Sequence, residues 1–466
     1  MRLTNTLTGS KDEFFPLEDG VVRMYNCGPT VYDYAHIGNL RAYVLADLLR
    51  RSFEEREFTV DQRINVTDVG HLTDDGDNGE DKMEKGAKRD GASVDDIVAR
   101  YTSAFVSDLA FLNIEAAHEY PQHFPRATQH INEQIDLIKV LEEKGATYVT
   151  SDGVYFDTAA FPEYGKLGGI DIAGLMAGAR VEMSDEKRNL TDFALWKFSP
   201  AGSSRLQEWD SPWGRGFPGW HVECSAMAMK YLGETLDIHT GGVDHIPVHH
   251  NNEIAQSETA TGKPFARFWV HSAFLTVDGK KMAKSDGNTY RLTDLMERGF
   301  HPLSYRYWLT QAHYSTQANF TWDAMEAAQT GFDGLLRRVI AVGAERTEER
   351  GPEGKELLDI MEDDLNAPAA LARLHEILAD ADKASASRAV SAADRLLGLS
   401  ILSLAAALRT LPPEIEAITR ERTAARDAKD WNASDRLRGE LEKAGIAVSD
   451  TPDGTQYLRT LGSLLS

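Results

Sequence analysis

From Val21 the chain runs through the apolar segment VVRMYN and a Gly/Pro-containing loop into a stretch where Leu40, Val44, Leu45, Leu48 and Leu49 recur at helical spacing. This predicts strand, loop and helix, and FTVDQRINVTD supplies the next strand. Such a βαβ unit favours a parallel sheet, whose ligands gather beyond the carboxyl ends of the strands, where helix N-termini expose unpaired N–H groups. Chemistry is therefore expected on the loop from Cys27 to Asn39. From about residue 116 to 212 the pattern changes to mixed helices and short strands, closing in the Gly/Pro/Ser-rich SPAGSSRLQEWDSPWGRGFPGW. This reads as an insertion, after which LDIHTGG returns to the sheet.

Beyond Phe300 helical periodicity dominates. The charged GAERTEERGPEGKE reads as a linker, and NAPAALARLHEIL opens a helix with Asn366 as N-cap and Pro368 in its first turn. LLGLSILSLAAAL, from Leu396, is shorter than the ~20 residues of a membrane span and reads as one buried helix. After LPPE one more helix runs to Gly445, and IAVSDTPDGTQYL then carries a Pro-Asp-Gly turn.

The 466 residues allow about three domains. A net charge of -23 opposes nonspecific binding to nucleic acid or anionic membranes and leaves room for a locally basic, specific groove. No apolar segment follows Arg2, so a cytoplasmic protein without membrane attachment is the expectation. The two cysteines, Cys27 and Cys224, lie too far apart in sequence to suggest a disulfide framework, and taken singly each reads as a small buried apolar residue. The acidic LTDDGDNGEDKMEK fails as a calcium loop. With Gly79 at the invariant glycine, Gly76 falls on a ligand position and Lys85 where a bidentate Glu belongs.

PVHHNNEIAQSE puts His249 and Glu253 four residues apart, on one face of a helix. Two donors do not make a metal site, and taken alone the pair reads as a solvated helix surface in preference to a ligand pair. His250, one residue on, is turned about 100° away in a regular α-helix and is given no coordinating role.

Two further motifs change this picture. HIGN, His36 to Asn39, enters the first helix, and KMAKS, Lys281 to Ser285, follows the Asp-Gly hairpin signal of FLTVDGKKMAKS. In this order, with an insertion between them, they resemble the two signatures of class I aminoacyl-tRNA synthetases. CGPTVYDYAHIGNLR, RINVTD, PGWHVECSAMA, GGVDHIPVHHNNEIAQSE and KMAKSDGN, with the tail ARDAKDWNASDRLRGELEKAGIAVSDTPDGTQYL, together resemble the cysteinyl-tRNA synthetase family from the first strand to the C-terminus.

The resemblance implies a Rossmann-type α/β fold, a doubly wound parallel sheet with an inserted domain, then a helical bundle and a small α+β anticodon-binding tail. Its divisions are catalytic halves at 1–115 and 213–290, the insertion at 116–212, a stem-contact helical region at 291–342, the bundle at 343–411 and the tail at 412–466. It implies an ATP-dependent ligase that converts L-cysteine to cysteinyl-adenylate and transfers it to tRNA(Cys), acting as a monomer with one Zn2+ per chain and ATP with Mg2+ as substrate.

Carried over residue by residue, the zinc ligands are Cys27, Cys224, His249 and Glu253. The catalytic residues are His36, Asn39, Lys281 and Lys284, and the nucleotide is met by His36, Gly38, Asn39, Gly241, Gly242 and Lys284. Cysteine is contacted by Thr67, Trp220 and Asp244, and anticodon bases by Arg426, Trp431, Asp435 and Asp450. Negative charge builds on phosphate oxygens during activation, which suits a histidine at a helix N-terminus and a lysine. This chain departs from the family pattern at Thr240, expected to narrow the nucleotide's room, at Ala283, which removes a hydroxyl, and at Asn251, which removes a carboxylate beside the metal ligands. The competing reading is a tRNA-independent cysteine:amine ligase of the mycothiol-pathway type, which lacks the anticodon tail.

Overall fold

A computed structural model describes residues 1–72, 81–170, 186–199, 205–282, 287–451 and 454–465. It divides into two compact units, 1–110 with 114–274, and 111–113 with 275–466.

The first unit is built on four parallel strands, β1 (Val21–Asn26), β2 (Thr59–Ile64), β3 (Leu236–Gly242) and β4 (Ala266–Ser272), in the order β4-β3-β1-β2. The chain order reverses between β1 and β3, so Cys27, just after β1, and Gly241 and Gly242, closing β3, share the switch-point crevice where such sheets bind ligands. Helix α1 (Ile37–Glu55) follows β1. Leu40, Val44, Leu45, Leu48 and Leu49 are each 5% exposed or less, so the stripe read from the sequence is its core face. Burial of each contributes about 1.5–3 kcal/mol.

Across the middle of the sheet runs a polar chain. Gln62 Nε2 donates to Asn26 Oδ1 (2.6 Å), and Asn26 Nδ2 donates to Thr240 Oγ1. The Thr240 hydroxyl is thus committed to a neighbouring strand, and the expected narrowing of the nucleotide's room does not follow from it.

The insertion forms its own antiparallel sheet of Thr147–Val149, Gly153–Phe156, Phe193–Phe198 and Gly216–Pro218. Phe156, Leu195 and Trp196 from it share one apolar cluster with Val222, Cys224, Ile254 and Trp269. Helices α2 (Lys82–Asp90), α3 (Trp220–Leu232) and α4 (Asn251–Thr261) complete the surroundings of the crevice.

In the second unit Leu275–Val277 and Lys280–Lys281 form the hairpin that Asp-Gly predicts, with Asp278 and Gly279 at φ of 50° and 75°. Asn366 caps Ala367–Asp380 as expected, its side chain accepting from Ala369 N–H (3.2 Å). Three sequence readings are corrected. The segment read as linker contains a helix, Gly351–Met361, because Pro352 fits a first turn and Leu357 and Met361 find a core. LLGLSILSLAAAL is divided between Lys383–Leu397 and Ile401–Arg409, bent by 115° where Gly398 and Ser400 adopt φ of 63° and 52°. Asp394 makes this break stable by accepting from Ile401 and Leu402 N–H. The single helix expected after LPPE is likewise two, Pro413–Asp427 and Trp431–Lys443, parted at Lys429 (φ 57°) and restarted by Asp430 as N-cap. The hairpin Ile446–Thr451 and Gly454–Arg459 follows, and Pro452 and Asp453 of its turn lie outside the described residues. Among the described residues no single helix is long and apolar enough to cross a membrane.

Candidate metal centre and substrate pocket

Cys27, Cys224, His249 and Glu253 come from four places: the end of β1, the middle of α3, the turn before α4, and α4 itself. Their donor atoms nevertheless all lie within 4.8 Å of one another. His249 Nε2 is 2.8 Å from Glu253 Oε1, the one-face pairing expected at this spacing, and Cys27 Sγ is 3.5 Å from the same oxygen. All four are buried at 9% exposure or less. Against burial, the charge of Glu253 and the hydrogen bond to Cys224 push His249 up to about 10. Also against burial, His239 and then His249 hold the Glu253 carboxyl well below its usual range. Burial raises the Cys27 thiol, whereas the hydrogen bond from Cys27 lowers that of Cys224. Two sulfurs, an imidazole and a carboxylate, buried and convergent, fit the donor set and closeness of a tetrahedral zinc site.

The second coordinates of these ligands are also fixed. Glu253 Oε2 meets His239 Nε2 at 2.6 Å, and His249 Nδ1 meets His221 Nδ1 at 2.9 Å. His250 corrects the sequence reading. Ile246–His250 is a π-turn and not α-helix, so His250 is not turned away, and its Nε2 stands 3.3 Å from Cys27 Sγ. Its Nδ1 meets His271 Nε2 (2.8 Å), whose Nδ1 meets Thr6 Oγ1 (2.7 Å). Cys27, His239, His250 and Glu253 therefore make a second grouping. With one thiol in place of two, and with His250 bonded onward to His271, it serves better as the outer support that fixes ligand orientation. Asn251 does not face the donors. It donates to Leu167 O (3.1 Å) and Ile246 O (2.7 Å), which ties the insertion to the π-turn.

Sequence reasoning missed His221, His239, His271 and Glu223. Each had a signal: a polar residue in an otherwise apolar strand or helix face must find a buried partner. Glu223, fully buried, accepts from Thr67 Oγ1 (3.2 Å) and bonds His71 Nε2 (2.7 Å), and burial pushes its carboxyl well up. Thr67 also accepts from Asn65 Nδ2 (3.1 Å). Trp220 opens α3, with its ring 5.0 Å from that of His249 and stacked on that of His71 at 6.3 Å. Asp244 is exposed on the turn after β3 and folds back so closely that a Cβ on Gly242 would stand 2.2 Å from its Oδ1. A Cβ on Gly241 would meet His245 Nδ1 at 2.6 Å and His250 Cε1 at 2.8 Å. Gly241 thereby makes room for histidine rings. Gly28 approaches Asn65 O so closely that a Cβ would stand 1.5 Å from it.

His36 is the N-cap of α1. Its Nδ1 accepts from Asn39 N–H and Asn39 Oδ1 accepts from His36 N–H, both at 3.1 Å. With Nδ1 an acceptor, the neutral ring carries its proton on Nε2 and presents it as a donor. Gly38 lies in the first turn of the same helix. In the second unit Lys281 is exposed on the hairpin, and Lys284, with Ala283 and Ser285, lies outside the described residues. Also in that unit, Arg426 Nη1 pairs with Asp450 Oδ2 at 3.0 Å, and Thr455 and then Arg422 hold Asp450 down at about 2. Trp431 is 57% exposed, so it does not anchor its helix, and Asp435, one turn on, is exposed too.

Comparison with known proteins identifies the family and the fold. The family described as the tRNA synthetases class I (C) catalytic domain matches residues 13–330, and the cysteinyl-tRNA ligase anticodon binding domain matches 408–459. A cysteine–tRNA ligase 1 of Burkholderia lata is 48% identical, covering 97% of this chain and 96% of its own. A cysteine–tRNA ligase of Treponema denticola is 42% identical, with coverage of 98% and 99%. Among solved structures, Mycobacterium tuberculosis methionyl-tRNA synthetase in complex with methionyl-adenylate shares the fold with a TM-score of 0.57 at 14% identity, covering 84% of this chain and 94% of that one. Agrobacterium radiobacter LeuRS in a ternary complex gives a TM-score of 0.56 at 11% identity, with coverage of 84% and 85%. The chain belongs to the cysteine–tRNA ligase family of class I aminoacyl-tRNA synthetases.

Proposed function

We propose that this chain activates L-cysteine with ATP, charges tRNA(Cys), and recognises its amino acid through a metal-held thiolate. Membership of the family makes it an ATP-dependent ligase, and the anticodon-binding match at 408–459 counts against a tRNA-independent cysteine:amine ligase. The observation that carries the metal reading is the convergence of Cys27, Cys224, His249 and Glu253 in one buried cluster. Zinc bound there would supply a soft Lewis acid that favours a thiolate over a thiol. Cysteine and serine differ by one atom, and pocket shape alone separates such near-isosteres by only about 10- to 200-fold.

The chain's own residues do the rest. His221 and His239 hold His249 and Glu253 in orientation. Trp220 closes the pocket beside His249, Thr67 is aimed by Glu223, and Asp244 takes the substrate ammonium. The carboxylate attacks the α-phosphorus and pyrophosphate leaves, while His36, through Nε2, and Lys284 meet the charge on the phosphate oxygens. Asn39 keeps His36 in place, and Lys281 contributes a second cation from the same motif. Arg426, Trp431, Asp435 and Asp450 read anticodon bases by stacking and edge contacts. The working form is a cytoplasmic monomer.

The test is metal content and cysteine activation in the same preparations. Cys224→Ala is expected to lose zinc and cysteine-dependent pyrophosphate exchange together. Full zinc stoichiometry with normal cysteine binding in that variant would contradict the reading.

A further inference from the structure

A bound cysteine carries three charged groups. The reading above gives the thiolate a metal and the ammonium Asp244, and assigns no partner to the carboxylate, which is the reacting group. Lys82, the first residue of α2, brings a cation to the tryptophan of this pocket. Its ammonium nitrogen lies 4.4 Å from the centroid of the Trp220 indole. That same ring faces His249 and His71. Lys82 is held there from both sides. Its N–H donates to His71 O (2.8 Å), and Asp81 caps the helix through Met83 N–H (2.7 Å) while pairing with Arg205 (2.6 Å).

The other end of α2 rests on the signature loop. Arg89 donates to Asp33 Oδ2 (2.9 Å) and Tyr32 O (3.0 Å), and a Cβ on Gly86 would stand 3.0 Å from Tyr32 O. One short helix thus links the loop that leads into His36 with the tryptophan of the pocket. Arg205, the arginine beside the start of this helix, is paired with Asp81 (2.6 Å). An ammonium has three donors and can face an indole while donating to an anion.

We propose that Lys82 binds the α-carboxylate of the amino-acid substrate and holds it for attack on ATP. The inference rests on the cysteine-activating reading above. Its test compares cysteine with cysteamine, which keeps the thiol and the amine and lacks the carboxylate. In Lys82→Met the KM for cysteine in pyrophosphate exchange should rise about 10- to 100-fold, the loss of a charge-assisted hydrogen bond. The Ki of cysteamine as a competitor should not move, and Lys82→Arg, which keeps the charge, should recover most of the cysteine affinity. Parallel weakening of both ligands, or of neither, overturns the proposal. If Lys82→Met does not fold, Lys82→Gln carries the same comparison. Absence of cysteine-dependent exchange in the unmodified enzyme overturns the parent reading, a failure distinct from loss of the carboxylate effect alone.

Discussion

The His221–His249 contact gives a prediction whose size follows from the structure. When Nε2 of His249 faces a metal, its Nδ1 must carry the proton and needs an acceptor. His221 Nδ1, 2.9 Å away and buried, is that acceptor. Burial, then the charge of His249, lowers the His221 pKa well below its ordinary value, which keeps the ring neutral. In His221→Phe the bulk remains and the acceptor is lost. Leaving one buried N–H unpaired costs about 1–3 kcal/mol. Loss of an outer partner lowers metal affinity by about 10- to 100-fold, or about 1.4–2.7 kcal/mol, and the two figures agree. In His221→Asn the side-chain oxygen lies close to the place of Nδ1 and should restore most of the affinity. The assay is zinc competition against a chromophoric chelator, with cysteine binding measured in parallel. Wild-type zinc affinity in His221→Phe, or equal weakness in the Phe and Asn variants, would refute the reasoning.

Other expectations are structural as well as functional. Arg306 is fully buried and donates to the carbonyls of Leu397 (2.7 Å), Leu112 (2.8 Å) and Asn113 (3.1 Å). Arg306→Met should cost the second unit about 3–6 kcal/mol in chemical denaturation, from three carbonyls stranded at once, and a loss below about 1 kcal/mol would contradict that role. Arg388 lowers Glu353 from its ordinary 4.5 to about 2. Its stabilisation is therefore present above about pH 4.5 and lost as pH falls through about 2. The stability gap between the parent and Glu353→Gln, measured by denaturation across that range, should close on acidification, and a pH-independent gap would remove the assignment. Trp431→Ala should leave cysteine activation and thermal stability unchanged and reduce kcat/KM for tRNA(Cys) by about 5- to 150-fold, the worth of one stacked base. Equal loss in pyrophosphate exchange would instead give Trp431 a structural role.

The first βαβ unit was legible because apolar spacing specifies it, whereas the edge strand Ala266–Ser272 was not read from the sequence. Leu40 to Leu49 mark α1, and the βαβ pattern locates the crevice at its switch point. The second unit was less legible. The break at Lys429 is a left-handed residue that carries no glycine signal, and Gly398 at the other break sits inside an apolar run that reads as continuous helix; each break is stabilised by contacts of the following helix with Asp394 or Asp430 that the sequence alone does not reveal. At the site, His249 and Glu253 were readable as a pair from their spacing. Cys27 and Cys224 joined them only through family resemblance, since no periodicity relates the end of a strand to the middle of a distant helix. His239 and His221 support the ligands from neighbouring elements, so spacing could not find them. The π-turn at Ile246–His250 defeated the angular argument about His250, which assumed a regular helix.

The central claim is that a metal held by Cys27, Cys224, His249 and Glu253 selects cysteine. The most direct test is ATP–pyrophosphate exchange with cysteine and with serine, run on the same enzyme before and after zinc removal and again after zinc is restored. The loaded enzyme should prefer cysteine by well over the ~200-fold that pocket shape allows, and the stripped enzyme should lose cysteine-dependent exchange until zinc returns. Undiminished exchange and undiminished preference for cysteine in verified zinc-free enzyme would contradict it.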